Sequence, residues 1–131
     1  MSGSAWIGWG ATMAFIGVAL GAFGAHGLRE NLEPRMMEIF ETAVRYQMYH
    51  ALALILFGLS FRSIVLAVGE RAAQFPGFAF LFGILFFSGS LYALALTGVR
   101  VLGAITPIGG VFFLVAWASW AYFGFKGGAV A

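Results

Sequence analysis

The sequence predicts an all-α, polytopic membrane protein, a four-transmembrane-helix bundle with an amphipathic extension leading into its second helix. Three observations predict it. Hydrophobic residues make up 62% of the chain and charged residues only 9%, against about 25% charged in ordinary soluble domains. Four apolar stretches, residues 6–25, 43–61, 78–97 and 101–123, fall within one membrane domain spanning 1–131; each covers a hydrocarbon core of about 30 Å at about 1.5 Å per residue. The 19 glycines have no collagen-like period and suit spans whose backbones approach closely.

Composition also excludes several chemistries. The net charge of +2, from seven basic and five acidic residues, is small and dispersed, so no nucleic-acid groove is expected. With no cysteine there is no thiolate nucleophile, disulfide framework or Cys-ligated metal site. Every acidic residue is a glutamate.

The first span, Trp6 to Ala25, is interrupted only by glycines and Thr12. No basic residue precedes it and it is longer than a signal-peptide h-region, so it is expected to be retained. Gly17 and Gly21, with Ala14 and Ala25, form a smooth face for close helix contact, within the chain or in a dimer. Trp6 and Trp9 stand where interfacial aromatics belong. His26 to Pro34 then reads as the first loop. Pro34 opens the next helix, where its missing N–H costs nothing, and Glu38 and Glu41 suit the positive end of the helix dipole.

A length argument places the second span. Ala51 to Phe61 is wholly apolar but covers only about 17 Å, so the span must take in polar residues. Extension forward to Val68 submerges Arg62, at about 2.5–3.5 kcal/mol for a central arginine. Extension backward to Ala43 leaves Arg45 within snorkelling reach of the interface and submerges Tyr46, Gln47 and His50, and is the expected arrangement. Met36, Met37, Phe40, Val44 and Met48 recur at helical intervals before it, giving the amphipathic extension. Glu41 lies one turn before Arg45, in the favourable acid-first order.

Gly69 to Gly77, including Pro76, reads as the second loop. The third span carries Ser88, Ser90 and Tyr92, with Gly89 and Ala93 in a second small-residue stripe. The fourth contains Thr106-Pro107-Ile-Gly109-Gly110, where a kink or short unwound piece is expected. Trp117, Trp120, Tyr122 and Lys126 mark its far interface, and Gly127 to Ala131 reads as a frayed tail.

Four alternating crossings put the first and third loops on one side and both termini on the other. The polar residues of all four helices then share one half of the membrane: His26, Glu41 to His50, Ser88 to Thr97, and Thr106-Pro107. Arg29, Arg35, Arg45 and Arg100 oppose Arg62, Arg71 and Lys126, nearly balanced under the positive-inside rule. The less acid-compensated basic residues of the second loop and tail point to cytoplasmic termini.

Four ordered motifs carry a resemblance: Gly21-Ala-Phe-Gly-Ala-His26-Gly-Leu28, Thr42-Ala-Val-Arg-Tyr-Gln-Met-Tyr-His50-Ala-Leu-Ala-Leu54, Phe87-Ser-Gly-Ser-Leu-Tyr92-Ala-Leu-Ala-Leu-Thr-Gly98 and Gly103-Ala-Ile-Thr-Pro-Ile-Gly-Gly110. The chain resembles the small membrane-protein family known as domain of unknown function 423. The resemblance implies four spans in the bacterial inner membrane and assigns no activity.

Three readings of the polar half-layer stand beside one another. In the first it is structural: Tyr, Gln, Ser and Thr bond across helices while Arg45 pairs with Glu41 or Glu38, and the protein is an accessory subunit, a scaffold or a homo-oligomer among membrane lipids. In the second, the ionisable residues and the Pro107 break form a binding or permeation site for an ion, proton or small amphiphile. In the third, His26 and His50 are axial ligands of a haem. Enzymatic chemistry has the weakest signal. Ser88 and Ser90 are distant in sequence from His50, and Glu38 or Glu41 with His50 forms an acid/base pair only if the fold brings them together. No enzyme activity, cofactor or metal is expected.

Overall fold

The computed structural model describes residues 1–128. Four helices make up nearly all of it: α1 (Gly3–Leu28), α2 (Pro34–Val68), α3 (Glu70–Thr97) and α4 (Arg100–Gly127), each long and apolar enough to cross a membrane. A helix satisfies its backbone polar groups internally, as a segment in hydrocarbon must. The ends are specified locally. Ser2 Oγ accepts from the Ala5 amide at 3.1 Å and caps α1; Gly98, at φ +72°, closes α3 in the left-handed conformation open to glycine.

The loops are shorter than expected. α1 continues through a wide π turn at Gly24–Leu28, so His26 lies on the helix instead of in the first loop. Nothing in His26-Gly-Leu forces an exit, and the last carbonyls are satisfied: Asn31 Nδ2 donates to Gly27 O, and the amides of Asn31 and Leu32 donate to Leu28 O. The second loop contracts to Gly69, whose φ of +85° reverses the chain in one residue. Glu70–Ala73 is already helical and Pro76 lies in the first turn of the next helical stretch, so α3 starts before Phe78. The unwound piece of α4 also moves. A 3₁₀ stretch at Arg100–Ala104 precedes a regular α-helix from Thr106 to Gly128, with Pro107 in its first turn where it breaks no bond. Gly127 and Gly128 of the expected frayed tail are helical, and the rest of that tail lies outside the described residues.

α2 is the central element, packing against α1 along much of its length and against α3 and α4. It is continuous past both of its mid-helix arginines. Arg45 and Arg62 lie about 26 Å apart along the axis, and both are exposed.

Glycine sets the contact between α1 and α2. Gly3, Gly10, Gly17 and Gly24 recur every seventh residue, and each faces α2. A Cβ on Gly10 would stand 2.8 Å from Ala51 O and 2.9 Å from Ile55 N; one on Gly3 would stand 2.6 Å from Gly58 O. A seven-residue repeat keeps one stripe of a helix against a partner that coils around it.

The main core gathers Trp6, Phe57, Phe61, Phe80 and Phe113 from all four helices, and a smaller one gathers Met37, Phe40 and Ala95 near the first loop. Trp6 is fully buried, contrary to its expected interfacial place. Gly77 leaves room for its indole, whose Nε1 donates to Gln74 Oε1 at 3.1 Å; Gln74 Nε2 donates in turn to Met1 O at 2.8 Å. These contacts hold the N-terminus beside the α2–α3 turn. Gly127 lies near Ala67 at the same end, as alternating crossings require.

Candidate functional site

Six of the expected polar residues, Gln47, His50, Ser88, Ser90, Tyr92 and Thr106, bond across helices. Gln47 is the centre, 3% exposed on α2. Its Nε2 donates to Met13 O of α1 at 2.8 Å, and its Oε1 accepts from Tyr92 Oη of α3 at 2.6 Å. The amide orientation is forced, because the Met13 carbonyl can only accept. One side chain therefore joins three helices through two hydrogen bonds. Away from this bridge, α1 and α3 meet at the other end of the bundle, where Trp6 packs on Gly77 and Phe78 and bonds to Gln74.

His50 lies one turn further along α2. Its Nδ1 is 2.6 Å from Tyr46 O and its Nε2 is 3.1 Å from Trp117 Nε1 of α4. A carbonyl only accepts and an indole N–H only donates, so the ring is the neutral tautomer with its proton on Nδ1. Phe113 covers one face of the imidazole, with centroids 3.5 Å apart and planes 6° from parallel. Both ring nitrogens are engaged, so axial ligation of a haem would cost the Trp117 bond. His26 is exposed in the π turn of α1 and bonds to no residue of this layer.

α3 reaches the layer through a second π turn, at Ile84–Ser88. The extra residue in such a turn re-aims the side chains that follow it. Ser88, fully buried, donates to Ala43 O of α2 at 2.7 Å, and Ser90 Oγ lies 2.6 Å from Thr106 Oγ1 of α4. Pro107 follows Thr106 and lines a groove of about 450 Å³ between α2 and α4, with Tyr46, His50 and Trp117. The close approach of α4 to α3 occurs at Gly109, which faces the backbone of Phe87.

Other expected residues stand apart from the layer. Glu41 pairs with Arg29 at 3.2 Å, not with Arg45, whose Nη2 donates to Thr42 Oγ1 at 3.1 Å. The pairing expected from four-residue spacing yields because all these groups are exposed, and an exposed ion pair is worth at most about 1 kcal/mol. Tyr46 is exposed and stacks on Phe87 at 4.6 Å. No serine bonds to His50, and neither Glu38 nor Glu41 reaches it. Among the packing glycines, Gly17 and Gly21 face Met48 and Val44 of α2, which places that stripe inside the bundle. Gly89 meets nothing within 4 Å and Ala93 is half-buried, so their stripe makes no comparably close contact.

The sequence reading passes over Trp117 as an interfacial residue, although its indole N–H completes the His50 bonding. It also passes over the acceptor carbonyls of Met13 and Ala43, because any residue type supplies a carbonyl. Among the described residues no buried side-chain polar atom lacks a partner.

A family profile described as "Protein of unknown function (DUF423)" matches residues 20–110. A UPF0382 membrane protein of Staphylococcus epidermidis is 52% identical over 108 residues, covering 82% of this chain and 84% of that protein. The UPF0382 membrane protein YwdK of Bacillus subtilis is 44% identical, over 82% of this chain and 85% of its own. A UPF0382 membrane protein of Haemophilus influenzae is 44% identical, over 88% and 90%. No solved structure matches the chain. The profile match takes in Gln47, His50, Ser88, Ser90 and Tyr92, and with these relatives it establishes that this four-helix chain is an integral membrane protein belonging to the DUF423 family.

Proposed function

We propose that the protein is a structural or accessory membrane subunit, without enzymatic activity, whose polar layer holds its own four helices in register. One observation carries the reading: the buried polar groups of the layer spend their bonds within the chain, leaving no orphaned donor or acceptor aimed at a ligand among the described residues. The serine hydroxyls are committed to Ala43 and Thr106 and the imidazole to Tyr46 and Trp117, so no nucleophile rests on a base. A helical bundle belongs in the cell's inner (plasma) membrane, since outer-membrane spans are β-barrels. Cytoplasmic termini are favoured by Arg62, Arg71 and Lys126, which Glu70 alone offsets on that side.

The partners are bilayer lipids and either a second copy or a larger membrane complex; no nucleic acid is involved. α1 and α4 leave large side chains outward, Phe15, Val18, Leu114 and Phe125 among them, which lipid or a neighbouring helix would cover. Stability and flux measured on the same proteoliposomes test the proposal. Gln47→Leu is expected to lower unfolding stability while wild-type and variant vesicles alike pass no protons, ions or small solutes. A wild-type flux abolished by Gln47→Leu at unchanged stability would overturn it.

A second reading, binding of a small amphiphile, is favoured by the groove over His50 between α2 and α4. Competition of a bound aromatic amphiphile by Val111→Trp, which would fill that groove from α4, is its test; retention of binding by the variant would dismiss it.

A further inference from the structure

At the opposite rim of α2 from the termini lies a cavity of about 490 Å³ lined by Glu33, Arg35, Met36, Ile39, Leu94 and Arg100. Its two arginines come from the first turn of α2 and the first residue of α4, so both stand where spans meet the headgroup region. Neither forms an ion pair among the described residues, where Arg29–Glu41 is the one salt bridge. With Glu33 on the same cavity, the local formal charge is net +1. The rest of the lining is apolar, supplied by Met36, Ile39 and Leu94.

From this combination we infer that the cavity is a site for an anionic phospholipid. The phosphate sits between the Arg35 and Arg100 guanidinium groups, and the start of an acyl chain lies on Met36, Ile39 and Leu94. Arginine suits this because its planar fork bonds phosphate oxygens two at a time, and its weak hydration lets it do so at a half-dry surface. Net +1 matches a phosphodiester monoanion and disfavours a zwitterionic lipid, whose ammonium would meet the same arginines. The site lies outside the Gln47–His50 layer, so its failure would leave the reading of that layer untouched.

The test is native mass spectrometry of the full chain released from detergent micelles containing phosphatidylglycerol or phosphatidylcholine. The expected result is one retained phosphatidylglycerol, held at least about tenfold more often than phosphatidylcholine. The double variant Arg35→Gln/Arg100→Gln should lose about tenfold of that retention. The double lysine variant should keep an intermediate level, since charge remains and the fork does not. Arg71→Gln, at the other end of the bundle, should retain lipid as the wild type does. Both arginines are exposed, and an unchanged helical circular dichroism spectrum establishes that the variants fold. Equal retention of the two lipids, wild-type retention by the double glutamine variant, or equal competition by soluble glycerophosphate would each overturn the inference; the last would reduce the site to a simple anion contact.

Discussion

Replacing Gly10 by alanine adds one methyl group where the backbones of α1 and α2 approach closely. Its Cβ would stand 2.8 Å from Ala51 O, 2.8 Å from Ile55 Cγ1 and 2.9 Å from Ile55 N. Two of those three atoms are backbone and cannot rotate aside, so the helices must separate or α1 must shift along α2. Overpacking of this kind costs about 1–3 kcal/mol, and alanine returns about 1 kcal/mol as the better helix former, leaving a net loss of about 0–2 kcal/mol and a difference of about 1–3 kcal/mol from a glycine replaced in open space. Gly8→Ala is the internal control, since nothing lies within 4 Å of its added Cβ and the residue is exposed; it should be neutral or slightly stabilising. Gly17→Ala should fall between them, because the nearest atom is Met48 Sδ at 2.7 Å, the flexible end of a side chain. Reversible unfolding in bicelles, followed by helical circular dichroism, measures all three. Gly10→Ala as stable as Gly8→Ala would refute the claim that glycines set the helix separation.

Three further outcomes are expected. Ser88→Ala removes the hydroxyl bond to Ala43 O with little change of volume, and should cost about 0.6 kcal/mol, the usual worth of a hydrogen bond between membrane helices; the same unfolding assay reads it. His50→Phe keeps a ring to stack on Phe113 but removes the acceptor for Trp117 Nε1. It should destabilise by about 1–3 kcal/mol through the orphaned indole donor, with a changed tryptophan emission maximum as the spectroscopic check. Glu41→Gln breaks the exposed Arg29 pair and should change stability by less than about 1 kcal/mol, and by less still at high salt, where exposed charges are screened.

Much of the fold is readable because lipid permits few solutions: an apolar run must be a helix, and its length must match the bilayer. That logic places Gln47, His50, Ser88, Ser90 and Tyr92 in one membrane half before any contact is known. It stops at their partners. Gln47 and Ser88 bond to carbonyls of Met13 and Ala43, groups that no residue letter distinguishes, and the two π turns that re-aim α1 and α3 have no sequence signature. Gly69 and Pro76 illustrate a different limit: turn-forming residues mark a reversal without fixing how many residues it consumes. The seam of α1 was legible in another period. Four-residue spacing selects Gly17 and Gly21, whereas the seven-residue series Gly3, Gly10, Gly17 and Gly24 identifies the face that meets α2. Arg45 escapes its nearest acid because exposed charges are held too weakly for spacing to decide a partner.

The central claim is that the polar layer clamps the bundle, with Gln47 joining α1 and α3 through α2. A double-mutant cycle on Gln47→Leu and Tyr92→Phe, measured by reversible unfolding in lipid, tests it most directly because it isolates the 2.6 Å bond between the two side chains. The account predicts that each single variant is less stable than wild type, with a favourable coupling of about 0.6–1.7 kcal/mol, the range found for bonds between membrane helices. Coupling indistinguishable from zero, with Gln47→Leu as stable as the wild type, would contradict it.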